Sequence, residues 1–569
     1  MMKKSLKTLA LFLACCTAAG VLGGCGGDSP SSSTPSSMPS SAASTGGDET
    51  PEIVNGAYTT GLPIAAEPIT LKVAVVRMAG DQSSSTAVKP YAKRSVEDTG
   101  LNFEWVELIT DIEEQISVML ASGDGMPDVF LGGITDNILA QNASLFAELQ
   151  DLIPVYAPNI QAYYDENGID WGLITNAEGK IYQLLSCMYY SEQSLTNNLP
   201  CINQTWLDNL GLQKPTTTDE LYDVLKAFKE KDADGNGDVN NEIPLDFSQA
   251  DWCAGIGLWG VSWGVAGVDG DNFYLVKDGK VSGTANTDAY RAYLEYFHKL
   301  YSEGLINTEG FSQTADQFNA SIKAMNSGAY FKWAPQTQLT ASAEAEQYAF
   351  LGKVTAPGYE DEYAFPGNYE IAAGKGFTLS ASSKYKEAAL RWWDYLSSTD
   401  ELRWLTNRGP DGLVVKQEDD GIVYLANPTD EEKQAILDKN DMADDFDISM
   451  TNASFYLDNY GPLILNNISY HAPREGEYTS QGYWRQLAIR EIQPELTQGM
   501  SKTVVPSSLT EEFTFTCEGL EDYIKAFRAE AIINGVTDDS WNKYLSELDG
   551  YNYDFYLEYY QKKLDGNFD

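Results

Sequence analysis

Ile69-Thr70-Leu71-Lys72-Val73-Ala74-Val75-Val76-Arg77 is the stretch on which the fold turns. It is apolar and rich in β-branched residues, and reads as a buried strand. Working outward, Tyr91–Thr99 is predicted helical and Leu101–Leu108 alternates as a strand does. Asp111–Ala121 places Ile112, Ile116 and Leu120 at helical spacing. Asp128–Leu131 is a short buried strand before Gly132-Gly133. Parallel strands need a crossover, usually a helix, so this alternation predicts an α/β fold built on a parallel sheet. A second region of this kind begins near Leu199. There Thr216–Glu220 opens a helix with Leu221, Val224, Leu225 and Phe228 on one face. Thr217 and Glu220 stand at capping-box spacing. Further helices are predicted over Thr287–Glu303, Tyr385–Ser398, Leu520–Ile533 and Asp539–Leu548.

The amino terminus reads differently. Lys3, Lys4 and Lys7 precede an apolar stretch from Thr8 to Leu22, then Gly23-Gly24-Cys25. That is the anatomy of a signal peptide over 1–24. The apolar stretch is shorter than the roughly 20 residues that span a bilayer. A cysteine directly after two glycines resembles a bacterial lipobox, which implies a lipid on the Cys25 sulfur and Cys25 as the new N-terminus. Gly26 to Asp48 is almost entirely Ser, Thr, Pro, Gly and Ala. Such a segment buries too little apolar surface to offset its chain entropy. Residues 25–66 are assigned to the lipidated cysteine and a flexible tether.

The chain has 569 residues, more than a single core holds. Its net charge of −45, from 83 acidic and 38 basic residues, argues against nucleic acid, which needs clustered cations. Neutral ligands fit best, and a monomer is expected. Cys187, Cys201, Cys253 and Cys517 are widely spaced with no CxxC, and are expected to be buried free thiols. No HExxH or GxxxxGK[ST] occurs. The two histidines are His298, inside a predicted amphipathic helix, and His471. No catalytic residue is assigned, and the chain reads as a non-enzyme.

Asn203-Gln-Thr-Trp-Leu-Asp-Asn-Leu-Gly-Leu212 with Pro215-Thr-Thr-Thr-Asp-Glu-Leu221 resembles a segment of extracellular sugar-binding lipoproteins that serve ATP-driven (ABC) importers. Gly304-Leu-Ile-Asn307, Ala388-Ala-Leu-Arg-Trp-Trp-Asp-Tyr-Leu396, and Trp541, Tyr544 and Leu548 resemble further helices of that family, in its order. The resemblance implies a two-lobe periplasmic-binding-protein-like fold of type II. Ligand is held in the cleft, and hinge strands join the lobes. By extrapolation the first lobe takes 67–190 with 375–465, and the second 195–370 with 466–569. The implied partners are a carbohydrate, most simply an oligosaccharide, and membrane permease subunits, with the lipid as the only membrane attachment. A glycan-active surface hydrolase is the alternative, since 83 acids make carboxylate pairs easy to propose. A binder of a peptide or another polar solute is a second.

Asp232-Ala-Asp234-Gly-Asn236-Gly237-Asp238-Val-Asn240-Asn241-Glu242 opens like an EF-hand loop. Oxygen side chains fall at positions 1, 3 and 5, and a glycine at 6. Position 12 is Ile243, so the closing carboxylate, Glu242, comes one residue early. Candidate Ca²⁺ ligands are Asp232, Asp234, Asn236, Asp238, Glu242 and one of Asn240 and Asn241. The family resemblance, down to Glu242-Ile243-Pro244, implies a structural calcium.

Sugar recognition sets aromatic faces against C–H surfaces, with polar groups ordering the hydroxyls. Trp252, Trp259 and Trp263 cluster in a glycine-rich segment, where the glycines are expected to leave a ring open at a cleft. Trp259 and Trp263 are the ligand candidates there. Trp333 follows Gly328-Ala-Tyr-Phe-Lys332, where the chain resembles maltose-binding relatives with an aromatic platform. Tyr189 and Tyr190 lie at the expected first hinge crossing. Arg408 and Asp411 belong to an expected turn at 407–412, and His471 is the last candidate. Trp392 and Trp393 lie on a predicted helix, at least one of them packing.

Overall fold

The computed structural model describes residues 51–568 except 78–80, 82, 123–124, 177, 190–194, 268–269, 368–372, 414, 418–422, 426–427, 441–456, 458–460, 464, 467–469, 471, 474–475 and 501–504. Cys25 and the signal sequence lie outside these residues. The strands of the two larger sheets, in chain order, are Thr70–Val76 (β1), Asn102–Leu108 (β2), Val129–Leu131 (β3), Gln183–Tyr189 (β4), Leu199–Asn203 (β5), Ile243–Leu245 (β6), Ser327–Lys332 (β7), Tyr348–Phe350 (β8), Ala373–Leu379 (β9) and Leu465–Asn466 (β10). The helices used below are Pro90–Thr99 (α1), Ile112–Ser122 (α2), Asp136–Asn142 (α3), Thr218–Glu230 (α4), Asp288–Ser302 (α5), Lys386–Leu396 (α6), Asp400–Arg408 (α7), Gln481–Ile492 (α8), Ser507–Thr516 (α9), Leu520–Asn534 (α10), Asp538–Gly550 (α11) and Tyr553–Asp565 (α12).

The first sheet has the order β10-β4-β9-β3-β1-β2. As the alternation implies, β1 lies parallel to both β2 and β3. Both its faces are covered. Leu71, Val73 and Val75 enter one core with Trp392 and Trp393 of α6, while Ala74 and Val76 enter another with Ile116 and Leu120 of α2. Continuous apolar strands belong to sheets buried on both sides. The sheet is nevertheless mixed, because β9 runs antiparallel to its neighbours β3 and β4. It enters the sheet as the chain returns from the second sheet, and the described residues between β8 and β9 form no helix.

The second sheet, β8-β5-β7-β6, has its own core from Leu199 to Phe365 and from Trp484 to Tyr556. At one end of the first sheet Met188 pairs with both Ala373 and Leu465, and Tyr189 with Asn466. The chain therefore leaves or enters that sheet at three points lying side by side.

At the start of α4 the Thr217 hydroxyl accepts from the Glu220 N–H. The return arm shifts by one residue: the Glu220 carboxylate takes the N–H and hydroxyl of Thr216, both at 2.8 Å. His298 is structural, its Nδ1 lying 3.0 Å from the Ile532 carbonyl. Cys201 and Cys253 are buried free thiols and Cys517 is half-buried. Trp392 and Trp393 are both fully buried.

The tether boundary at 66 needs correction. Ile53–Val54 pairs with Ala57–Tyr58, and Ala57 and Ile64 are buried in the first core. Arg391 donates to the carbonyls of Tyr58 and Gly61. A few apolar anchors and one guanidinium are enough to order a segment whose composition reads as linker.

Candidate functional site

Trp252 and Trp333 form an aromatic pair with open surface. Trp252 is the middle residue of a tight turn whose neighbours, Asp251 and Cys253, are buried, so its ring is turned outward and is 59% exposed. Trp333 follows the last residue of β7 and is half-buried. The ring centroids are 6.1 Å apart at 40°. One face of Trp333 is covered by the Arg485 guanidinium, 3.4 Å from the ring centre. Arg485 comes from α8 and is fully buried. It donates to the carbonyls of Thr196 (2.5 Å), Asn197 (3.2 Å) and Trp333. Burial pushes its pKa down to about 9, which still leaves it cationic at neutral pH. A cation over an indole is an attractive contact that fixes the ring.

The other two tryptophans of the segment are corrected. Trp259 and Trp263 are only 3% and 4% exposed and lie in a 3₁₀ helix over Ile256–Trp263 that is buried throughout. Trp259 meets Phe331 edge-on at 4.9 Å, and Trp263 packs against Tyr293, Tyr296 and Phe297. The glycines serve close packing rather than openness. A Cβ on Gly257 would lie 2.0 Å from the Gly270 carbonyl oxygen and 2.2 Å from Arg528 Nη1.

Arg408 is corrected too. The expected turn begins as the end of α7, where Asn407 and Arg408 are buried. Asn407 donates to the carbonyls of Arg403 and Pro462, both at 2.8 Å. Asp411 is exposed. Tyr190 and His471 lie outside the described residues, and Tyr189 is placed by its backbone alone, at the end of β4. Trp252 and Arg485 were not among the ligand candidates. Trp252 stood in the right cluster, but nothing in the sequence linked Arg485 to Trp333.

A cavity of about 360 Å³ opens elsewhere, between α3 and the helices α9 and α12. Asp136, Asn137, Lys180, Phe513, Tyr559 and Lys563 are among its walls, and none of the candidate residues lines it.

The loop at 232–242 gathers oxygen. Carboxylate oxygens of Asp232, Asp234 and Glu242 lie within 4.8 Å of one another. Internal bonds hold the loop in shape: Gly237 N–H donates to Asp232 Oδ2 (2.9 Å), and Ala233 N–H to Glu242 Oε1 (3.0 Å). Asp232 Oδ1, Asn241 Oδ1 and Glu242 Oε2 are buried without a hydrogen-bond donor among the described residues. Unpartnered buried oxygens are costly, and a hard cation satisfies several at once. Asn241 thus fits the ligand set better than Asn240, which is exposed and donates to Asp238. Asp238 and Asn236 are also exposed, with Asn236 Oδ1 accepting the Asp238 N–H at 2.7 Å. Glu242 leads straight into β6, and Asp246 follows it. Burial raises the Asp246 pKa, against bonds from Asn307, Ser327, Gln313 and the Phe247 N–H.

The family described as bacterial extracellular solute-binding protein matches residues 82–402. The fructooligosaccharide ABC transporter substrate-binding protein FusA of Streptococcus pneumoniae is 26% identical over 83% of this chain and 86% of its own. The solved S. pneumoniae FusA EF-hand mutant in complex with fructo-nystose superimposes with a TM-score of 0.70 at 24% identity, covering 87% of this chain and 99% of that one. An HMO-binding solute-binding protein from Bifidobacterium longum infantis gives 0.68 at 24% identity, covering 88% and 99%.

Proposed function

This chain belongs to the bacterial extracellular solute-binding protein family, and from that premise we propose that it captures an oligosaccharide for an ATP-driven importer. The observation that carries the reading is the Trp252–Trp333 pair, an exposed indole beside a half-buried one whose ring is held by a buried guanidinium. Sugar C–H faces stack on such rings. The 26% identical relative, named for fructooligosaccharides, supports the class. The family and these relatives are binding proteins, and the proposed role has no covalent step. Ligand held between the lobes shifts the population to a closed form by its differential affinity for that form. The side-by-side ends of β4, β9 and β10 are suited to be the hinge. The closed form then docks on permease subunits. The proposed attachment is a lipid on Cys25; no helix of the described residues is long and apolar enough to cross a membrane.

The proposed calcium is held by Asp232, Asp234, Asn236, Asn241, Glu242 and the backbone carbonyl of Asp238. When bound it neutralises the clustered carboxylates and pins the start of β6.

The test is thermal unfolding of the protein truncated past Cys25 against fructooligosaccharides, maltotriose, oligogalacturonate and short peptides, with product analysis. A ligand that binds only the folded state raises the melting temperature by mass action. A shift with an intact oligosaccharide is expected. A shift with peptides alone, or a cleaved sugar, overturns the reading.

A further inference from the structure

Asp251 immediately precedes Trp252, and Lys332 immediately precedes Trp333. Their side chains form an ion pair, Lys332 Nζ to Asp251 Oδ2 at 2.5 Å, and are 2% and 4% exposed respectively. Lys332 also donates to Asn319 Oδ1 at 3.0 Å and lies 5.1 Å from the centre of the Phe318 ring. The second oxygen of Asp251 accepts the N–H of Cys253 at 3.1 Å and faces its thiol at 3.2 Å. The carboxylate therefore does two things at once. It closes the turn that throws Trp252 outward, and it ties that turn to the end of β7, where Trp333 begins.

A buried ion pair is weak evidence for stability, because desolvation of the two charges offsets most of their attraction. What it does supply is geometry. Trp252, mostly in solvent, has little packing of its own to hold it. Its position is inherited from Asp251 and Cys253, and the other end of the Asp251 contact is the residue beside Trp333. We propose that Asp251 and Lys332 are positioning residues for the Trp252–Trp333 pair, and that they set the ring separation and tilt a saccharide meets. This rests on the carbohydrate reading for its consequence, but not for its geometry.

The test uses Asp251→Asn, which keeps an acceptor for Cys253, and the double variant Asp251→Asn with Lys332→Met, which leaves no lone charge buried. Two readouts are needed. The first is independent of ligand: the near-ultraviolet circular dichroism of the coupled indoles, isolated as the difference between the protein and its Trp252→Ala variant. The second is affinity for the oligosaccharide that gives the largest thermal shift, measured with and without Trp252→Ala.

The expected result is loss of most of the indole difference signal. Affinity should fall about tenfold in the native background and less than about twofold when Trp252 is already alanine, since coupled positions are non-additive. An unchanged indole signal, or equal affinity losses in both backgrounds, overturns the proposal. If no oligosaccharide binds the native protein, the carbohydrate reading falls, and the indole signal alone still decides whether the ion pair positions the rings. Should the double variant fail to fold, the single Asp251→Asn protein is read in the same way.

Discussion

Trp252 and Trp263 stand eleven residues apart in one glycine-rich segment, yet they do opposite things. Trp252 is 59% exposed on a turn anchored by a buried carboxylate. Trp263 is 4% exposed among Tyr293, Tyr296 and Phe297 of α5. The residue type is the same and so is the neighbourhood in sequence. What differs is whether another element arrives to cover the ring. α5 arrives at Trp263; Trp252 has the tilted ring of Trp333 beside it and stays mostly open. A cluster of aromatics in the sequence thus does not tell which of its members are covered and which stay open to solvent.

The contrast breaks most sharply on stability. Trp263→Ala empties a filled core and should cost ~3–5 kcal/mol in urea unfolding. Trp252→Ala should stay within about 0.5 kcal/mol, as surface changes do. If the two cost the same, Trp252 is packing and the binding surface lies elsewhere.

Calcium extends the comparison to the loop that feeds the same segment. Adding Ca²⁺ at about a hundred times its dissociation constant should stabilise the protein by ~2.7 kcal/mol, and a chelator should reverse it. Asp232→Asn should abolish the response in calorimetry. A native protein indifferent to both would make the loop a solvated turn.

Binding gives the next effect. Trp333→Ala should weaken oligosaccharide affinity by about thirtyfold, in the range of a buried aromatic anchor. Trp259→Phe, inside the core, should leave affinity within about twofold in isothermal titration. Equal losses would erase the distinction between platform and core.

The smallest effect concerns pH. Asp246 anchors the segment ahead of Trp252, and burial raises its pKa above 3.8. In the window between the unfolded value and the raised folded value, the folded state binds more protons than the unfolded chain. Stability contributed by this group is therefore present at low pH and is lost as pH rises through the folded value. Asp246→Asn should flatten that part of the stability curve, and an unchanged slope would mean that the hydrogen bonds already compensate the burial.

Much of this was legible from local pattern. The strand at 69–77, the helices on either side of it and the oxygen spacing at 232–242 are written in consecutive residues, because periodicity of two or 3.6 and the choice of ligand atom at each loop position are local properties. The capping pair at Thr217 and Glu220 was legible to within one residue, and the carboxylate chose Thr216 instead. The order of segments that resembles the solute-binding family survives in the chain for the same reason.

Everything that requires two distant segments to meet was not legible. The reversed strand β9, the anchoring of residues 51–66, the burial of Trp259 and Arg408, and the guanidinium of Arg485 on a ring 152 positions away are contacts of this kind. The sequence by itself determined which elements form and which chemistry they carry, since those follow from neighbours along the chain. Only the tertiary structure decided which aromatic rings are covered and which are left open to solvent. Burial is a property of what packs against a residue, and no local pattern encodes the arrival of a partner from elsewhere in the chain.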